Sequence, residues 1–239
     1  MELKRLAGTA RERLVFFAVP EEAGPFRNAW IQGGGSPWRK EVHAPGITSW
    51  HSSDVRVVVT GMGRRNSGRV ASALLAGRQV EWVVTAGFAG GLDPNLDGGA
   101  VGYCADPSFP RRQPLEGAGA RSLTFLEVDR VAVTPEAKRA LRDQSRADAV
   151  EMESATIRTL CQQRGIPSAT VRVISDTAHE RLPLDFGALM TSDDRIDFRR
   201  LAWELVRSPG KVPELMRFQR RVARASAELA RVLVKVVQG

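Results

Sequence analysis

The stretch Ala149–Ala178 reads AVEMESATIRTLCQQRGIPSATVRVISDTA and sets a strand, a helix and a second strand in close succession. Ala147–Glu151 has the length and apolar content of a short strand. Ser154–Arg164 carries apolar residues at helical spacing and is stopped by Gly165 and Pro167. Ala169–Ile174 is rich in β-branched residues and reads as a buried strand, with Ser175 and Asp176 at its end. The alternation continues toward the N-terminus. Val80–Ala86 is a strand running into the glycine-rich turn Gly87-Phe88-Ala89-Gly90-Gly91. Val55–Thr60 is another, ending in Gly61-Met62-Gly63 and followed by a helix over Ser67–Arg78. Leu14–Val19 is the first strand, trailed by Glu21 and Glu22.

The remaining segments fit between these. Ala100–Ala105 reads as a strand, and two shorter extended pieces are expected between Ser122 and Val133. Thr134-Pro135-Glu136 opens a helix, because threonine caps well and proline suits the first helical position. Ile31–Ile47 and Ala105–Arg121, rich in Gly, Pro and Arg, read as loops. From Arg195 the chain reads as helices, broken near Ser208-Pro209-Gly210. Glu214–Val237 is amphipathic and basic; packing on the sheet is the expectation, with a membrane-surface helix as the alternative. Strand and helix alternate without a break in composition, which predicts one α/β domain of three layers, α/β/α, over residues 1–239.

Composition excludes several classes. No apolar run approaches the roughly 20 residues needed to cross a membrane. The N-terminal LVFFAV is too short for a secretory signal core and is followed at once by acidic residues, so it reads as a buried strand. Cys104 and Cys161 make no disulfide framework, and His43, His51 and His179 show no metal-ligand spacing. A cytoplasmic protein with no structural metal and no cofactor is expected. The net charge of +8 is spread along the chain with few aromatic residues beside it, which argues for a solvated surface over a nucleic-acid groove.

Ligands of open α/β sheets sit beyond the carboxyl ends of the strands. At those ends this chain places Glu21-Glu22, Gly61-Met62-Gly63, Gly87 to Gly91, Glu151-Met152-Glu153 and Ser175-Asp176. Three strand ends thus deliver carboxylates to one edge, beside two glycine segments where a ligand can approach the backbone. Gly61-Met62-Gly63 does not complete a dinucleotide fingerprint, because Asn66 stands where the third glycine belongs. Singly, Glu21 and Glu22 could begin a helix and Asp176 could be a cap; their joint placement is the signal.

The run from Ala149 to Ala178 closely resembles the signature region of methylthioadenosine/adenosylhomocysteine nucleosidases and their phosphorylase relatives. VVTAGFAGGLDPNLDGGAVG (Val83–Gly102), VVVTGMGRRNSGRVASALL and FFAVPEEA resemble the preceding segments in the same order. The resemblance implies a phosphorylase/hydrolase-like fold with a central mixed sheet, and cleavage of the N-glycosidic bond of a purine nucleoside or 5′-substituted adenosine. It implies that Glu153, with Met152, clamps the ribose and steadies an oxocarbenium-like transition state. Asp176, held by Ser175, acts on N7 of the purine, and Glu22 activates the attacking water. Glu151, Phe88, Ala89, Gly90 and Gly63 fall among the implied substrate contacts. A homo-oligomer, commonly a dimer, is also implied.

Water or phosphate as nucleophile remains open at this point. Hexameric purine phosphorylases carry an arginine before the glycine turn and a serine after it, both on phosphate; this chain has Thr85 and Phe88 there. Glu21 and Glu22 would repel phosphate, so hydrolysis is the expectation. Arg64 and Arg65 could supply the charge a phosphorylase needs, with phosphate then as co-substrate. The interval before the EMES motif is shorter than in the methylthioadenosine enzymes, and LTFLEVDRVAVTPEAKRAL replaces the region that stacks on the base. That form resembles the hopanoid-associated branch, which implies a substrate like adenosylhopane, with Phe88 and Phe125 on its apolar 5′ group. A nucleoside-binding module without catalysis is a further alternative.

Overall fold

A computed structural model describes residues 11–44, 47–184 and 212–239. The first part of the helical stretch expected from Arg195, up to residue 211 and including the break near Ser208-Pro209-Gly210, lies outside the described residues, as do residues 1–10.

The chain alternates strand and helix. Strands β1 (Glu12–Phe17), β4 (Val55–Val59), β5 (Val80–Gly91) and β10 (Ser168–Asp176) form the parallel centre of the sheet. β2 (Arg39–Ala44) and β3 (Ile47–Ser52) extend it antiparallel on one side, and β6 (Val101–Ala105) runs antiparallel to β10 on the other. With β7 (Arg121–Ser122) beside β6, the order is β2-β3-β4-β1-β5-β10-β6-β7. The short pair β8 (Phe125–Glu127) and β9 (Ala149–Glu151) joins through the end of β5, where Gly90 and Gly91 pair with Val150 and Ala149. The sheet is therefore mixed.

Alternation along β1 shows why helices cover both faces. Val15 and Phe17 point into one core with Phe26, Trp82, Leu229 and Leu233, while Leu14 and Phe16 point into another with Val70, Leu74 and Ile157. The first face is covered by α1 (Pro20–Gln32) and α6 (Val212–Gln238), the second by α2 (Gly63–Leu75) and α5 (Ser154–Gln162). The basic C-terminal helix packs on α1 and β10 through Leu229, Val232, Leu233 and Val236, so its apolar stripe is used internally. Among the described residues no helix is long and apolar enough to cross a membrane.

Three expectations need correction. The first loop contains strand β2, whose ladder to β3 continues the sheet past residues that look polar because they sit at its edge. The second contains the short helix α3 (Arg112–Gly117), anchored by the buried Leu115, and β7 begins at its last residue. The glycine segment Gly87 to Gly91 is not a turn. β5 runs through it to Gly91, paired with β10 on one side and β9 on the other.

Candidate active site

The carboxyl ends of β1, β5, β9 and β10 surround a cavity of about 210 Å³. Glu22, Glu151, Met152, Glu153, Ser175 and Asp176 border it, together with Phe88, Ala89 and Gly90. Gly63 stands behind Glu153. Phe125 does not reach the cavity; it packs against Ala89, Ala149 and Ile174. Val128, Val131 and Ala132, from the stretch that replaces the usual stacking region, form part of the wall with Met62, Leu182 and Phe218.

Glu22 lies in the first turn of α1, shortly after β1. Its Oε2 accepts the N–H groups of Ala18 (3.1 Å) and Val19 (3.3 Å), and its Oε1 accepts that of Phe88 (2.9 Å). A carboxylate has about four acceptor sites, so roughly one is left for a ligand. Burial raises its pKa, against the pull of the nearby Arg172 and these N–H groups. The approach of β5 depends on Gly87, where a Cβ would lie 2.6 Å from Glu22 Oε1.

Glu153 Oε1 accepts the N–H of Gly63 (2.9 Å) at the amino end of α2. Gly63 has φ +82°, a conformation that favours glycine. Burial, opposed by Arg172 and reinforced by Glu151 and Glu22, pushes the pKa of Glu153 up to about 7. Glu151 differs although it also borders the cavity. Its Oε2 accepts from Glu153 N (3.0 Å), Ser154 N (2.8 Å) and Arg172 Nη2 (2.7 Å), and its Oε1 from Ser154 Oγ (2.8 Å). Burial acts to raise its pKa, but Arg172 and these donors outweigh it and hold the carboxyl below the ordinary range.

Asp176 is placed by an irregularity. The β10–β5 register shifts between Ile174 and Asp176, which sets Asp176 opposite Gly90. A Cβ at Gly90 would lie only 3.3 Å from Asp176 Oδ2. Ser175 Oγ donates to Asp176 Oδ1 (2.5 Å), and Lys138 Nζ meets Oδ2 at 2.5 Å.

Arg172 and Lys138 were not among the residues singled out from the sequence. A lone arginine inside the buried run VRVIS was a readable signal, since an unpaired charge in a strand interior is costly. Lys138 sits in PEAKRALRDQS, where it reads as one more surface lysine. Arg172 is buried, with Nη2 on Glu151 and 3.9 Å from Glu153 Oε2; its Nε and Nη1 have no hydrogen-bond partner among the described residues. Removing one partner of a buried ion pair costs about 3–5 kcal/mol. Arg172→Met is therefore expected to lower unfolding stability by about that amount, read from the denaturant midpoint.

Arg64, a candidate anion ligand, turns elsewhere. Its Nε lies 3.0 Å from Glu127 and its Nη2 3.4 Å from Asp129.

This fold has known counterparts. Residues 120–238 match the model of the phosphorylase superfamily, and the chain belongs to that superfamily. The aminodeoxyfutalosine nucleosidase of Helicobacter pylori is 37% identical over 62 residues, a stretch covering 26% of this chain and 27% of that protein. In fold, the chain resembles futalosine hydrolase of H. pylori strain 26695 with a TM-score of 0.69 at 17% identity, over 95% of this chain and 97% of the other. It resembles the Campylobacter jejuni 5′-methylthioadenosine/S-adenosylhomocysteine nucleosidase equally, with a TM-score of 0.69 at 18% identity, over 95% and 99%.

Proposed function

We propose that the protein hydrolyses the N-glycosidic bond of a purine nucleoside, with water as the nucleophile. The observation that carries this reading is the charge of the cavity floor, where, among the described residues, Glu22, Glu151 and Glu153 surround the guanidinium of Arg172. Such a floor disfavours a phosphate dianion and favours a cationic sugar. The pairing of Arg64 with Glu127 and Asp129 removes one charge that a phosphorylase could use.

In this mechanism a water held at the remaining acceptor site of Glu22 attacks C1′ and gives its proton to the Glu22 carboxylate. Glu153 accepts hydrogen bonds from the ribose hydroxyls and stabilises the positive charge growing on the sugar. As the C1′–N9 bond breaks, its electron pair passes into the purine, and Asp176 protonates N7. The base then leaves neutral. Phe88, Met62, Leu182 and Phe218 give the cavity apolar walls, which favour an apolar 5′ substituent over a charged one. A large group of the adenosylhopane kind is the extreme of that preference.

Both carboxylates must be ionised to work in this way. Glu153 ionises at about pH 7 and Glu22 above its ordinary range. Protonation on the acid side should therefore switch the site off, with kcat/KM falling about tenfold per pH unit below about pH 7 and more steeply once Glu22 is protonated as well. A profile from pH 5 to 9 checks this; a flat acid limb would remove the two carboxylates from their assigned roles. The direct test of substrate is release of free base from adenosine, methylthioadenosine and adenosylhomocysteine. Release from one or more supports the reading, and binding without turnover would make the protein a nucleoside-binding module.

A further inference from the structure

Lys138 projects from α4 (Pro135–Ser145) into the protein, and its side chain is 0% exposed. Lysine is rarely buried to that degree without a paired charge. Its three donors are accounted for by Asp176 Oδ2 at 2.5 Å, the Thr177 carbonyl at 2.6 Å and the Glu180 carbonyl at 2.9 Å. The ammonium is thus fixed from three directions on the last residue of β10 and two residues that follow it. Asp176 is itself only 5% exposed at its side chain, so the pair lies in a setting of weak screening. Asp176 Oδ1 is held separately by Ser175 Oγ.

We infer that Lys138 is a positioning residue for departure of the base, acting through Asp176; this rests on the hydrolytic reading of the site. When the C1′–N9 bond breaks, its electron pair enters the purine and N7 takes the proton of the Asp176 carboxyl. A negative charge appears on Asp176 at that moment, and the ammonium already stands against Oδ2 to stabilise it. After the base has left, Glu22 releases to solvent the proton it took from the attacking water and Asp176 takes one up from solvent, which resets the site. A charge placed in advance costs no reorganisation during the reaction, which is why burial and triple anchoring matter.

A role of this kind depends on the leaving group, whereas a purely structural role does not. Lys138→Met should lower kcat on a purine nucleoside about 100-fold and change KM less than about threefold. With 4-nitrophenyl β-ribofuranoside, whose phenolate leaves without a proton, the same variant should stay within about threefold of wild type. The double variant Asp176→Asn/Lys138→Met should be no slower than Asp176→Asn alone, because the two act as a unit. If Lys138→Met does not fold, that double variant, which removes the ammonium and its carboxyl partner together, decides the point by the same comparison. Equal losses on both substrates, or losses that multiply in the double variant, would overturn the inference. Full activity of Asp176→Asn would instead sink the reading of the site, and the role of Lys138 with it.

Discussion

Asp176→Asn is expected to lower kcat for purine release by about 10²–10⁴-fold while leaving the protein folded. The expectation rests on what surrounds the two oxygens. Lys138 Nζ can only donate, so the asparagine carbonyl should face it, while the amide NH₂ faces Ser175 Oγ, which can accept as well as donate. The shape of the site is retained and a hydrogen bond to N7 remains possible. What is lost is the transferable proton, together with the carboxylate that its departure would leave against Lys138. The loss should be confined to leaving groups that need protonation. Equal loss on 4-nitrophenyl β-ribofuranoside would show that the variant disturbs the sugar end instead.

Glu22→Gln should be of similar size, about 10²–10⁴-fold in kcat, and should affect both kinds of substrate, because water must attack either sugar. Here the structural side effect is readable in advance. Both carboxylate oxygens accept backbone N–H groups, and an amide nitrogen cannot. Gln can keep the Ala18 and Val19 bonds or the Phe88 bond, not both sets. Loss of a hydrogen bond costs about 0.5–1.5 kcal/mol, and removal of a buried charge offsets part of it. Kinetics on folded protein, with a melting curve alongside, separate the two effects. A variant that folds and keeps full rate would remove Glu22 from the reaction.

The parts of this arrangement that were legible in the sequence are those with a local signature. β1, β4, β5 and β10 announce themselves as apolar β-branched runs, and Thr134 caps α4 by accepting from Ala137 N as its type and position suggest. Glu22, Glu153 and Asp176 could be singled out because each stands at or just beyond the carboxyl end of a strand readable in the sequence. What was illegible depends on tertiary contact. β2 looks like a loop because an edge strand carries polar residues, and Gly87 to Gly91 looks like a turn because glycine is there for close approach, by Glu22 and Asp176, inside a continuous strand. Lys138 is the clearest case. Nothing in PEAKRALRDQS distinguishes it from its neighbours until α4 is seen to pass over the end of β10. Arg172 lies between these extremes, conspicuous in a buried strand but unassigned until Glu151 and Glu153 are seen around it.

The water-nucleophile reading is tested most directly by following the oxygen. A purine nucleoside that the protein cleaves is incubated in phosphate-free buffer made with ¹⁸O-water, and the sugar product is analysed by mass spectrometry, with a parallel incubation in phosphate. The predicted result is free ribose carrying ¹⁸O at C1, formed at the same rate with or without phosphate. Release that requires phosphate and yields the sugar 1-phosphate would contradict it.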